Sequence, residues 1–405
     1  MSLLTQSLAP GLPPAVPIWK GFPKYNFVGG NIDPDTVATD TLAERAAAGI
    51  RRHGARMAFY NMGCGPLGFD LLRERIADRL NRLRGMDVSA DGVLVTSGSG
   101  QGLDLINTCF VAPGDTVLME QHTYSAAATR LKKLGARIVS APLDGDGIDT
   151  DALAGVLEGL RADGVRPKFI FTIPTIQNPT GSILPLERRH ALVALAREYG
   201  VPIIEDECYA ELTFDIERPP AIHALAPDVT VYVGSYSKTL SPAMRLGFIA
   251  GDPALIRQIA ALKADSGTSS VTQAMVAEVL ADGYDAHTAG LCETLKAKRD
   301  TIVNAVAREF GTSVDVAPHV GGIYIWLTFP EGFDTRRLLE PAAKEGVIFN
   351  AGADWSVMPE NGERHMRLCF AHMAATDLEE GVATLARVCH DVAGFPERRA
   401  NVAAG

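Results

Sequence analysis

Seven short, almost uninterrupted apolar runs constrain this chain more than any other feature; they fall at 93–96, 116–120, 137–140, 169–172, 202–206, 230–234 and 247–250. Helix-patterned stretches separate several of them, such as 186–199, where apolar residues recur at i, i+3 and i+4. A strand that is apolar on both faces has to be covered on both faces. With helices between such strands, the architecture that satisfies this is α/β, a mostly parallel sheet clothed on each side. The large domain is thus expected to hold a seven-stranded sheet. Past residue 284 the pattern changes. A long helical stretch through 292–310 leads to shorter runs at 323–327, 347–350 and 366–369, which predicts a smaller α+β domain. The expected division is 1–55 as an N-terminal arm and part of the small domain, 56–285 as the large domain, and 286–405 as the C-terminal small domain. The first 20 residues read as a proline-rich arm and the tail after Gly394 as loose.

Composition narrows the partners. With 38 basic against 48 acidic residues the net charge is −10, whereas binding a phosphate backbone needs a basic surface, so nucleic acid is not expected as a partner. A local pocket for one small anion is still compatible. Six cysteines without CxxC pairs and nine histidines without an HExxH pattern predict reduced thiols and no metal site. No apolar run approaches the roughly 20 residues of a membrane helix. The N-terminus also lacks a signal-peptide pattern. A soluble cytoplasmic protein with no membrane partner is expected.

In largely parallel sheets, ligands gather at the carboxyl ends of the strands, and four such ends carry unusual residues. In TSGSGQGLDLI, Gly98, Gly100 and Gly102 let the backbone approach an anion at a helix N-terminus. Alone, such a turn is more often only a tight turn. IPTIQNPTGSILP contains Asn178-Pro179, which by itself reads as a turn. VPIIEDECYAEL ends a buried strand in Glu205-Asp206-Glu207, with Tyr209 close behind. A carboxylate at the inner end of a buried strand is costly unless a cation meets it; a solvated loop acid is the bland alternative. VYVGSYSKTLSPAMRLGF delivers Ser235, Ser237 and Lys238 into a turn, with Arg245 seven residues beyond the lysine. Lysine there has the reach and the titratable amine for an imine, while two hydroxyls and a guanidinium suit a phosphate.

The succession SGSGQ, Tyr124 in HTYSAA, NPTG, DxxY, SxSK with a downstream arginine, and a late arginine in HMRLCFA resembles the fold-type I pyridoxal-5′-phosphate (PLP) enzymes. More narrowly it is similar to the class I/II aminotransferases, in the branch holding 2-aminoadipate and kynurenine aminotransferases and the C-terminal halves of MocR-type regulators. The resemblance spans roughly residues 25–390. It implies an aminotransferase moving an amino group between an L-amino acid and a 2-oxo acid, with 2-oxoglutarate and glutamate as one pair.

Carried over residue by residue, the resemblance implies that Lys238 holds PLP as a Schiff base and then moves the Cα proton. Asp206 pairs with the pyridine nitrogen, so that the ring can act as an electron sink. Asn178 and Tyr209 bond the phenolic oxygen, and Tyr124 stacks on the ring. Ser99 and Gly100, through backbone N–H groups, together with Ser235, Ser237 and Arg245 hold the phosphate. Arg367, an arginine inside an apolar strand, takes the substrate α-carboxylate, with Asn178 and the Gly29-Gly30-Asn31 turn (Gly30 above all) on the substrate side. The family forms its active sites between two subunits, which implies a homodimer. One departure stands out. The tyrosine that reaches the partner's phosphate usually sits about five residues before the glycine of a GxxxLR start, but Tyr60 precedes Gly68 by eight. Either a longer loop still carries Tyr60 across or another side chain has taken over, and substrate specificity is what this leaves open. Rival expectations are another PLP reaction on the same fold (a lyase, an oxidase-like or a cyclising enzyme) and a MocR-like sensing domain. The latter is disfavoured by the acidic charge and by the roughly 24 residues ahead of the family-like region.

Overall fold

The structure is a computed structural model that describes residues 2–396 apart from 10, 11, 13, 14, 17, 19, 20 and 318. Part of the proline-rich arm and nearly all of the expected loose tail lie outside the described residues. Seven strands form the large sheet: β1 (Val93–Thr96), β2 (Thr116–Glu120), β3 (Arg137–Ala141), β4 (Ile170–Thr172), β5 (Ile203–Asp206), β6 (Thr230–Ser235) and β7 (Gly247–Ala250). Their spatial order is β1-β7-β6-β5-β4-β2-β3. The expected runs match these strands to within a residue or so at each end.

β7 runs antiparallel to both neighbours, and the remaining pairings are parallel. The exception has a local cause: β6 and β7 are joined by a loop with no crossover helix, and a parallel return needs one. The other six strands therefore end at one edge, and each motif loop leaves the sheet there. Helices α1 (Ser99–Phe110) and α2 (Ser125–Lys133) follow β1 and β2. Strand residues such as Phe171, Ile204 and Val233 are fully covered, as expected for strands apolar on both faces.

Beyond the sheet, α3 (Tyr284–Phe310) and α4 (Ala375–Ala393) pack on an antiparallel sheet of β8 (Asp315–Val316), β9 (Tyr324–Thr328), β10 (Asn350–Ala351) and β11 (His365–Cys369), ordered β8-β9-β11-β10. Its core takes in Phe27 from the N-terminal segment beside Phe310, Tyr324 and Phe370. The single strand expected at 347–350 is not formed. Val347–Ile348 instead pairs in parallel with Tyr25–Asn26, and Asn350–Ala351 pairs with β11. Phe349, buried between them, marks where the chain changes partner. A continuous apolar run cannot reveal such a switch, because both halves are covered.

Candidate active site

The carboxyl edge of the large sheet and the small sheet enclose a cleft of about 420 Å³. All the expected site residues line it except Tyr60. Tyr60 lies on the surface, 83% exposed, next to Phe59. It immediately precedes Asn61 and Met62, which both adopt left-handed φ, of 50° and 53°. Nothing among the described residues draws it toward the cleft.

Lys238 follows β6 in the turn opened by Ser235, whose Oγ accepts the N–H of Ser237 at 3.2 Å. Its Nζ donates to the carbonyl of Gly30 at 2.5 Å. A methyl group on Gly30 would stand 2.4 Å from that nitrogen, so the glycine is what lets the N-terminal segment pass over the lysine. Burial lowers the amine's pKa from its ordinary value.

Strand alternation sorts the three acids at the end of β5. Glu205 and Glu207 turn into the protein. Arg84 Nη2 donates to Glu207 at 2.8 Å, and Arg189 lies 3.8 Å from Glu205 and 3.6 Å from Glu207. Backbone N–H groups of Ile222 and His223 donate to Glu205. Asp206 points the other way, into the cleft, and has no cationic partner among the described residues. The Cys208 N–H donates to it at 3.1 Å, and the Cys208 thiol bonds it as well. Burial pushes its carboxyl up to about 6. Of three consecutive buried acids, the one facing the cleft is the one left unneutralised.

Around this floor stand Asn178 and Tyr209, both buried. The Asn178 side-chain oxygen has no hydrogen-bond partner among the described residues, and burial raises the phenol of Tyr209. The Tyr124 ring lies at the cleft wall, 6.1 Å from that of Trp355. At one end of the cleft the first turn of α1 presents Ser99 and Gly100 behind Gly98, whose φ is 86°. A methyl group on Gly98 would stand 2.4 Å from Arg245 Nη2, so the guanidinium is folded over that turn. Free N–H groups, hydroxyls and a guanidinium together form an anion cradle.

At the opposite end Arg367, on β11, is 1% exposed. Its guanidinium is sandwiched 4.4 Å from the Tyr324 ring and 4.2 Å from the Trp355 ring. It donates to Asn350 Oδ1 at 3.0 Å and to the Gly29 carbonyl at 3.3 Å, and its Nε is buried without a hydrogen-bond partner among the described residues. Neutral acceptors leave its charge uncompensated, which fits an incoming carboxylate. The sequence reading missed Asn350, Trp355 and Tyr324 here, as well as Cys208 and Arg130, which also line or border the cleft. Trp355 carried a faint signal as a tryptophan in an otherwise small and polar GADWS segment.

These residues fit PLP. They offer a buried amine for its aldehyde, an unpaired carboxyl for its ring nitrogen, an orphaned amide beside it, and a cradle for its phosphate. The comparisons agree. The family model described as aminotransferase class I and II matches residues 33–385. An aromatic-amino-acid aminotransferase of Thermococcus litoralis is 33% identical over 89% of this chain and 87% of its own length. The solved kynurenine aminotransferase of Pyrococcus horikoshii, in complex with pyridoxamine phosphate, superposes with a TM-score of 0.86 at 30% identity, covering 90% of each chain. The α-aminoadipate aminotransferase LysN of Thermus thermophilus, complexed with a phosphopyridoxyl-leucine, gives 0.84 at 30% identity over 91% of this chain and 92% of its own. A cleft built for PLP and relatives that act through it lead to one conclusion: this chain belongs to the class I and II aminotransferases and is a PLP-dependent transaminase.

Proposed function

We propose that this transaminase exchanges the amino group of an L-amino acid with a 2-oxo acid, 2-oxoglutarate and glutamate being one pair, and that it works as a cytoplasmic homodimer. The observation that carries this reading is the pairing of an unneutralised Asp206 on the cleft floor with an uncompensated Arg367 on its far side, in a cleft that Lys238 also lines. Bound PLP supplies the electron sink that makes the substrate Cα–H acidic.

The chain's own residues do the rest. Arg367 takes the α-carboxylate through two parallel N–H groups and so fixes which Cα bond faces the cofactor. The lowered pKa of Lys238 leaves its amine a ready base, and Nζ carries the Cα proton once it is free. Asp206 holds a proton on its partner nitrogen. Asn178 and Tyr209 bond the phenolic oxygen, and Tyr124 covers one ring face. Ser99, Gly100, Ser235, Ser237 and Arg245 hold the phosphate. The exposed Phe59-Tyr60 pair supports a subunit interface through which Tyr60 reaches its partner's site. All six cysteines are unpaired, which supports a reducing compartment. Among the described residues no helix is long and apolar enough to cross a membrane.

A spectral half-reaction screen tests the reading. An L-amino acid that is a substrate should bleach the visible band of the yellow enzyme and leave pyridoxamine phosphate, and 2-oxoglutarate should restore the band. A full amino-acid panel with no half-reaction, or release of ammonia or pyruvate without amino transfer, would overturn it. A monomer by light scattering that still turns over would overturn the dimer.

A further inference from the structure

No expected role involves Arg130, yet it lines the cleft at the end where the phosphate is proposed to sit. It stands on α2 and reaches across to α1. There its Nη1 donates to Asp104, four residues beyond Gly100 and so on the same face of that helix. A methyl group on Gly100 would stand 2.9 Å from Arg130 Nη2. The bare glycine is therefore what allows the guanidinium to lie along the first turn of α1. Asp104 engages only Nη1, while Nε is buried and has no hydrogen-bond partner among the described residues.

The other arginine at this end holds on loosely. Arg245 is exposed, and its hydrogen bonds to the Ser97 and Pro242 carbonyls are both 3.4 Å. A phosphate monoester carries about −1.5 to −2 charge at neutral pH. One exposed guanidinium and a helix N-terminus leave much of that charge unbalanced. Tyr60 of a second subunit, reaching in as proposed above, would add a hydroxyl but no positive charge. We propose that Arg130, aimed by Asp104 and admitted by Gly100, is a second phosphate-binding arginine of this enzyme. The assignment rests on the phosphate pocket proposed above.

Two readouts on the holoenzyme test it: the rate of PLP release into excess scavenger, and the phosphorus NMR shift of the bound phosphate against pH. Arg130→Gln should speed release about 10-fold to 100-fold, the range for losing one charge-assisted contact. It should also let the phosphate titrate with a midpoint moving toward about 6, where the wild-type shift stays flat. Arg130→Lys should fall between, since it keeps the charge and loses the fork. Arg245→Gln is the control for the pocket. If Arg245→Gln speeds release while Arg130→Gln matches wild type in both readouts, the Arg130 assignment is overturned and the pocket stands. If neither variant changes either readout, the pocket itself is misplaced and the assignment falls with it. Should Arg130→Gln fail to fold, Arg130→Lys decides: wild-type release with a flat phosphorus shift overturns the assignment, and faster release with a titrating shift supports it.

Discussion

The two ends of the cleft are built in opposite ways. The cofactor end hangs from the edge of one mostly parallel sheet, its residues following the carboxyl ends of strands within short contiguous motifs, with Arg245 just ahead of antiparallel β7. The substrate end is gathered from distant segments: Gly29 from the N-terminal segment, Asn350 from the second half of the split strand, Trp355 from just after it, and Arg367 from β11. Sheet topology converges the first set automatically, because parallel strands end at a common edge. The second set converges only through the small sheet's packing. We expect changes at the sheet edge to strike the chemical step, and changes at the far end to strike substrate binding.

Lys238→Ala offers the strongest test of that contrast. With the base and the cofactor's anchor both gone, transamination should fall by at least about 10³-fold, read as single-turnover rate with added PLP. A loss confined to KM would break the contrast. Next comes Asp206, whose carboxyl lies near 6 in the cofactor-free protein against an ordinary 3.8. Between about pH 4 and pH 6 the folded protein keeps a proton that the unfolded chain releases, so stability falls as pH rises through that window. The cost at neutral pH is about 3 kcal/mol at most. In the cofactor-free form, the Tm of wild type relative to Asp206→Asn should therefore drop from pH 4 to pH 6, and a flat difference would count against the buried, unpaired carboxyl.

At the substrate end, Arg367→Lys keeps the charge but loses the two-pronged fork, so kcat/KM should fall roughly 10- to 100-fold, mostly in KM. A collapse of kcat at unchanged KM would show that this end also shapes the chemistry. Trp355→Leu should have the smallest effect, about 0.5–2 kcal/mol of lost cation–π support, or a few-fold up to some 30-fold in KM. If KM is unmoved, the Tyr324 ring alone positions the arginine.

The same contrast explains what could be read without the fold. Lys238, Asp206, Asn178 and the SGSG turn were legible because strand, turn and chemical group are neighbours in sequence, and the strands that carry them end at a common edge. Arg367 was legible for a different reason, as a charge stranded in an apolar strand. Asn350 and Trp355 were not, since their role exists only after β10 pairs with β11. Arg130 was hidden because it lies on a helix, where an arginine ordinarily means a solvated face, and only Gly100 opposite makes room for it. Residues 347–350 read as one strand because periodicity reports burial and is silent about which neighbour does the covering.

That split strand has a consequence for redesign. Residues 347–348 carry the N-terminal segment, whose Gly29 and Gly30 touch Arg367 and Lys238, while Asn350 grips Arg367 from the other side of Phe349. One peptide joint thus keeps two recognition surfaces in phase. Inserting a single residue after Phe349 would swing Asn350 to the opposite face of its strand. The anchor for the substrate's carboxylate would slacken while every group on the large sheet stayed in place. Specificity in this enzyme can therefore be detuned from one splice point, without a single substitution in the cofactor's surroundings.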